Sequence, residues 1–278
     1  MRAKRSLGQN FLVDRHYQQR IVASLHAKKD ETIVEIGPGR GALTQWLVET
    51  GAKIIAIEAD AELIPGLQSA FRKYSNFQLI RGDALEFDFG TIGSAAAPCR
   101  VIGNLPYNIS TPLLSRLIDH RESISELVAM LQREVVDRVV AKPGGKEYGY
   151  LSVMVQMYAT MERLFDVPPG AFQPAPKVHS TVCRARFSRE PLTSVRDEKQ
   201  LRETAQIIFA QRRKTLLNNL RAGRARLGLS DDSHYERSLE GCGINLSRRA
   251  ETLSIAEVAK LSDYLSSMKS AAVQSRRH

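Results

Sequence analysis

The sequence predicts an α/β protein: a mainly parallel, doubly wound sheet with helices on both faces, followed by a small all-helical domain. Three observations predict it. Short apolar runs recur at 32–36, 53–57, 77–80, 100–104 and 126–132, with helical spacing in most of the gaps. The first run ends in a glycine-rich turn that opens a helix. Beyond the polar, proline-containing stretch 188–197, only helical periodicity remains.

The elements follow in order. A helix is expected over 16–26, then strand 32–36, helix 42–49 and strand 53–57. The next helix covers 60–73, where Pro65 fits only within a first turn. Strand 77–80 precedes Gly82-Asp83. Strand 100–104, helix 112–119 and strand 126–132 complete the regular pattern. Residues 151–159 read equally as helix or buried strand, and 180–187 alternates as a strand. A linker is placed at 188–197, with helices over 198–211, 214–222, 232–240 and 254–267. The division expected is 1–190 and 191–278.

The 278 residues suit one or two domains, and 43% hydrophobic with 25% charged residues is an ordinary globular composition. No apolar run approaches the ~20 residues of a membrane span, and the N-terminus lacks the apolar core of a signal peptide. Cys99, Cys183 and Cys242 are odd in number and far apart. That argues against a disulfide framework or a cysteine-rich zinc site and for a reducing cytoplasm. The six histidines have no metal-ligand spacing, so no metal is expected. The net charge is +10, unevenly spread: residues 1–29 hold 7 basic and 1 acidic side chains, 30–170 hold 13 and 18, and 171–278 hold 20 and 11. Two basic segments flanking an acidic middle suggest a polyanionic partner, nucleic acid or an anionic membrane.

The turn Glu35-Ile-Gly37-Pro-Gly39-Arg-Gly41 suits close approach of a nucleotide to the backbone. Glu58, 21 residues beyond Gly37, ends the next strand where ribose hydroxyls would need an acceptor. Asp83 ends the third strand, placed to accept from an adenine amine. The G-x-G-x-G spacing differs from the dinucleotide fingerprint, and Glu35 would repel a pyrophosphate. The same carboxylate suits the cationic S-adenosylmethionine.

The fourth strand ends in Asn104-Leu105-Pro106-Tyr107. An adenine amine is a poor nucleophile, because its lone pair is delocalised into the ring. The Asn104 side-chain oxygen and the Leu105 carbonyl can accept its two N–H groups and favour a localised lone pair. Pro106 restricts the backbone on both sides, and Tyr107 offers a face for a flipped-out base. Methyl transfer then depends chiefly on in-line positioning.

These blocks resemble the KsgA/RsmA family of small-subunit rRNA adenine N6-dimethyltransferases. So do residues 6–14 (SLGQNFLVD), Phe172-Gln-Pro174-Ala-Pro176-Lys177-Val178 and Phe209-Ala-Gln-Arg212-Arg213-Lys214-Thr215-Leu216. The resemblance implies a Rossmann-like S-adenosylmethionine-dependent methyltransferase domain over 1–190 and a helical rRNA-binding domain over 191–278. It implies cofactor contacts at Asn10, Leu12, Gly37, Glu58, Asp83 and Asn104, and a target adenine sandwiched by Tyr107 and Phe172. Lys177, Arg212, Arg213, Lys214 and Arg221 are the RNA candidates; a solvated helix end is the plainer reading of the central three. The implied partner is 16S rRNA in the 30S particle, modified at two adjacent adenosines of its 3′-terminal hairpin loop; a monomer is the default expectation, and the cysteines point to the cytoplasm. The competing readings are a 23S rRNA methyltransferase of the macrolide-resistance type and a non-catalytic assembly factor.

Overall fold

The structure is a computed structural model that describes residues 10–227, 239 and 241–275. The first nine residues, with Lys4 and Arg5, and all but Leu239 of the helix expected at 232–240 lie outside the described residues.

The strands are β1 (Phe11–Leu12), β2 (Thr32–Ile36), β3 (Lys53–Glu58), β4 (Phe77–Arg81), β5 (Cys99–Asn104), β6 (Ile124–Gln132), β7 (Ala159–Val167), β8 (Phe172–Gln173) and β9 (Ser180–Phe187). The helices are α1 (Arg15–Leu25), α2 (Thr44–Leu47), α3 (Ile64–Phe71), α4 (Ser110–Asp119), α5 (Arg133–Val139), α6 (Tyr150–Tyr158), α7 (Glu198–Ile208), α8 (Leu216–Gly223) and α9 (Ile255–Ser275).

Seven strands form one sheet in the order β4-β3-β2-β5-β6-β9-β7. The first five run parallel, and β9 is antiparallel to both β6 and β7. The chain builds outward from β2 to β4, then restarts at β5 on the other side of β2. That reversal opens a crevice at the carboxyl ends of β2 and β5. Glu35 pairs with Ile102 across it, so the glycine turn and Asn104 leave adjacent strands together. The inner strands are apolar because both faces are covered: Ile33, Val34, Ile54, Val101, Ile102 and Val128 are fully buried.

Local chemistry sets the helix ends. Asp14 caps α1, accepting from the backbone N–H of His16 at 2.9 Å and of Tyr17 at 3.4 Å. Pro65 lies in the first turn of α3, as its missing N–H requires. The helix expected over 42–49 shrinks to α2 and a tight 3-10 turn over Val48–Thr50, ended by Gly51 at φ +79°. The ambiguous 151–159 is α6. The sequence reading missed β7 and α5. As an edge strand β7 carries charge in place of clean alternation, with Glu162 facing Arg184 at 3.0 Å and Arg163 bonded to Asp166 at 2.7 Å.

The chain divides into two compact units. One comprises the residues up to Asp137 and Tyr158–Arg189; the other comprises Arg138–Met157 and the residues from Glu190 onward. This grouping differs from the expected division at 190/191 over 138–157, which goes with the helical segment. In the second unit Asp197 caps α7 and Thr215 caps α8. Buried Asn219 donates to the Ile208 and Gln211 carbonyls at 2.8 and 3.2 Å, fixing the turn that carries Arg212-Arg213-Lys214.

Candidate active site

A cavity of about 390 Å³ sits at the carboxyl ends of β2 to β5. Gly37, Glu58, Asp83 and Asn104, each at or just beyond the end of one of these strands, line it together with Leu105, Pro106 and Tyr107. The N-terminal residues Asn10–Val13 line it from the other side.

The glycine turn is shaped by backbone demands. Gly37 has φ +64°, a region that disfavours side chains, and at Gly41 (φ +82°) a Cβ would come 2.7 Å from the Phe71 ring. The Gly39 N–H donates to Glu58 Oε2 at 3.0 Å, and the Asp60 N–H donates to Oε1 at 2.8 Å. Glu58 is thus held at the end of β3. Burial raises its carboxyl above the ordinary range, and these two N–H donors oppose that rise. Asp83 accepts from the Leu85 N–H at 2.9 Å, which fixes the turn after β4.

Glu35 is the most perturbed acid of the site. It is 1% exposed, and burial pushes its carboxyl up to about 8 despite a 2.7 Å bond from the Thr44 hydroxyl. A buried acid lining a cavity fits a ligand that brings positive charge. The glycine cradle and the two carboxylates after it fit the rest of S-adenosylmethionine.

Asn104 Nδ2 donates to the Asn10 carbonyl at 3.0 Å, which orients the amide and leaves Oδ1 as the acceptor. The Leu105 N–H donates to the Met130 carbonyl at 3.1 Å, and Ser110 Oγ donates to the Pro106 carbonyl at 3.0 Å. The turn carrying the tetrapeptide is therefore tied to β6 and α4.

Sequence reasoning missed the groups that hold the N-terminal segment. Gln18, buried on α1, donates to the Leu12 carbonyl at 2.9 Å and accepts from Trp46 Nε1 at 3.2 Å. Arg40 stacks on the Phe11 ring at 4.3 Å. Nothing in the local pattern marks Gln18, because its partners lie on two other elements, β1 and α2. Thr44 was hidden likewise, although its place nine residues after Glu35 on the following helix could have suggested it.

Phe172 lies apart from the other expected site residues. It does not line the cavity and is only 4% exposed, packed into the core with Leu12. β8 pairs antiparallel with β1, matching Phe172 to Leu12. The ring is buried in the core beside β1, away from the cavity lining. Phe172→Leu keeps that apolar support. We expect kcat within about threefold of wild type and modest destabilisation, as for volume-conserving core exchanges. A kcat loss beyond tenfold at unchanged melting temperature would restore the stacking role.

The RNA candidates are only partly as expected. Lys177 is exposed, in the first unit. Arg212 is half exposed, but Nε pairs with Glu251 at 2.6 Å and Nη2 donates to the Gly145 carbonyl at 3.3 Å. It anchors a loop within the second unit, and Gly144 N–H bonds the Glu251 carbonyl there too. Arg213, Lys214 and Arg221 are exposed. Among the described residues, no group of three or more His, Cys, Asp or Glu could hold a metal ion, and no helix is long and apolar enough to cross a membrane.

A parallel sheet with this reversal, a glycine turn, two strand-end carboxylates and an Asn-Leu-Pro-Tyr turn on one cavity define a Rossmann-like methyltransferase. A family model described as ribosomal RNA adenine dimethylase matches residues 1–267, and the chain belongs to that family. It is 44% identical over 264 residues to "Ribosomal RNA small subunit methyltransferase A" of Pseudomonas fluorescens, covering 95% of this chain and 94% of that one. The protein of the same name in Geobacter sulfurreducens is 45% identical, with 94% of each chain covered. Among solved structures, a dimethyladenosine transferase from Plasmodium falciparum superposes with a TM-score of 0.77 at 24% identity, over 90% of this chain and 95% of that one. The 23S rRNA methyltransferase ErmE gives 0.65 at 22%, over 92% and 100%. At these identities the two structures establish the shared fold.

Proposed function

We propose that the chain transfers methyl groups from S-adenosylmethionine to N6 of two adjacent adenosines in the 3′-terminal hairpin loop of 16S rRNA within the 30S particle. The product is N6,N6-dimethyladenosine. One observation carries this reading: a single cavity brings the nucleotide-type carboxylates Glu58 and Asp83 together with the adenine-amine acceptors Asn104 and Leu105 and the Tyr107 ring. The names of the most similar relatives support the small subunit as the target.

When bound, the cofactor supplies an electrophilic methyl group on a sulfonium. The protein's own residues do the rest. Gly37 allows close approach of the chain, Glu58 accepts from ribose hydroxyls, Asp83 accepts from the cofactor adenine, and Glu35 offers negative charge. Asn104 Oδ1 and the Leu105 carbonyl bind the two N–H groups of the target amine, and Tyr107 stacks on the base. The protein works as a cytoplasmic monomer without a metal, on assembling ribosomal particles.

Exposed Arg213, Lys214 and Arg221, with Lys177, supply phosphate contacts that set affinity rather than base choice. Lys214→Ala should weaken 30S binding and lower the slope of log K against log salt by about 1. An unchanged slope would remove Lys214 from the interface. The functional reading is tested by offering purified 30S particles and naked 23S rRNA in parallel. Incorporation into 30S alone is expected; incorporation into 23S alone would select the large-subunit reading. An assembly factor without catalysis would bind 30S and label neither.

A further inference from the structure

The Tyr107 hydroxyl shares a 2.8 Å hydrogen bond with the Ser180 hydroxyl. The two residues come from different parts of the fold. Tyr107 is half-buried in the turn after Pro106, with its ring on the cavity. Ser180 is fully buried and begins β9, where it pairs with Gln132 of β6 on one side and Val167 of β7 on the other. Its position is therefore set by two neighbouring strands, whereas the tyrosine ring hangs on two rotatable bonds. A hydroxyl tethered at the far end of the ring restrains the swing about Cα–Cβ, and with it the place of the ring; it lies on the axis of the ring's own rotation and leaves that rotation free. A stacking surface preset in this way loses little freedom when a base arrives.

Resting on the adenine reading above, we infer that Ser180 is a positioning residue: its hydroxyl holds the Tyr107 ring at the place on the cavity wall where the target adenine stacks. Ser180 is absent from the cavity lining, so it acts through the tyrosine alone. Burial also raises the Tyr107 phenol above its ordinary range, keeping the hydroxyl protonated for this bond. Docking of the 30S particle relies on phosphate contacts elsewhere, whereas entry of the base follows docking. Loss of the tether should accordingly appear in kcat and not in KM.

The test uses wild type, Ser180→Ala, Tyr107→Phe and the double variant, assayed on 30S particles that lack the modification. Each single variant should lower kcat by about threefold to tenfold, the loss of one neutral hydrogen bond. KM for the particle and cofactor affinity should stay within about twofold. The double variant should be no slower than the slower single, because both changes remove one bond. A wild-type kcat for either single, or a double loss equal to the product of the two, overturns the inference. If Ser180→Ala does not fold, Tyr107→Phe decides alone, since it keeps the ring and removes only the tethered hydroxyl. A wild-type protein that methylates nothing overturns the functional reading itself, whereas active wild type with a fully active Ser180→Ala overturns only the role of Ser180.

Discussion

Asn104→Ala should lower kcat for methylation of 30S particles by about 10²- to 10³-fold, the range seen when one fixed polar group facing a reacting centre is removed. The adenine N6 lone pair becomes available only if its N–H groups are drawn to acceptors. One acceptor is the Leu105 carbonyl, on a backbone fixed by the Met130 bond. The other is Asn104 Oδ1, aimed by the Nδ2 bond to the Asn10 carbonyl at 3.0 Å. Alanine leaves the second N–H without a partner, and the amine stays conjugated with the ring. Cofactor affinity should fall less than tenfold, because Gly37, Glu58 and Asp83 remain. Single-turnover rates with calorimetric binding separate the two effects. A rate within tenfold of wild type would show that Asn104 does not activate the amine. Asn104→Asp probes the second transfer. After one methylation the amine has one N–H left, and a neutral amide tolerates the lost donor better than a buried carboxylate does. The dimethyl fraction should therefore drop; an unchanged mono-to-dimethyl ratio would contradict this.

Glu35→Gln should stabilise the cofactor-free protein at alkaline pH and weaken its grip on the cofactor. The wild-type carboxyl has its folded-state value raised from 4.5 to about 8 by burial. Between these values the folded protein holds a proton that the unfolded chain has released. Stability from this group is fully present below pH 4.5 and is lost as pH rises through 8. The ceiling of that loss is on the order of 5 kcal/mol. Glutamine carries no such proton, so the melting temperature of the variant should decline less between pH 6 and pH 9. Cofactor binding has the opposite sign: a cationic ligand favours the ionised carboxylate, so wild-type affinity should rise with pH until about 8. In Glu35→Gln that rise should flatten. Parallel pH profiles of melting temperature for the two proteins would contradict the assignment of the buried acid.

The inner sheet was legible in the sequence because its strands are buried on both faces and read as unbroken apolar runs, as in Thr32–Ile36 and Lys53–Glu58. Each is punctuated by the acid or glycine that serves the cavity. Gly37, Glu58, Asp83 and the Asn104–Tyr107 turn were legible because parallel strand order sends successive carboxyl ends to one edge. What failed was non-local. β7 is an edge strand whose charges pair with Arg184 and Asp166, so its pattern hides the strand. Phe172 is tied to the base by the family resemblance alone, and its ring packs in the core with Leu12. Arg212 looked like a surface cation until Glu251, 39 positions on, was found beside it. Ser180 and Gln18 act through partners 73 and 28 positions away, beyond the reach of spacing rules.

The central claim is that this cavity dimethylates adenine at N6, and one measurement addresses it directly. Unmodified 30S particles are incubated with the protein and methyl-labelled S-adenosylmethionine, and the RNA is hydrolysed to nucleosides. Label is expected in N6,N6-dimethyladenosine, confined to two adjacent positions of the 3′-terminal hairpin loop of 16S rRNA. Label on another base, or none at all from folded protein that binds the cofactor, would contradict it.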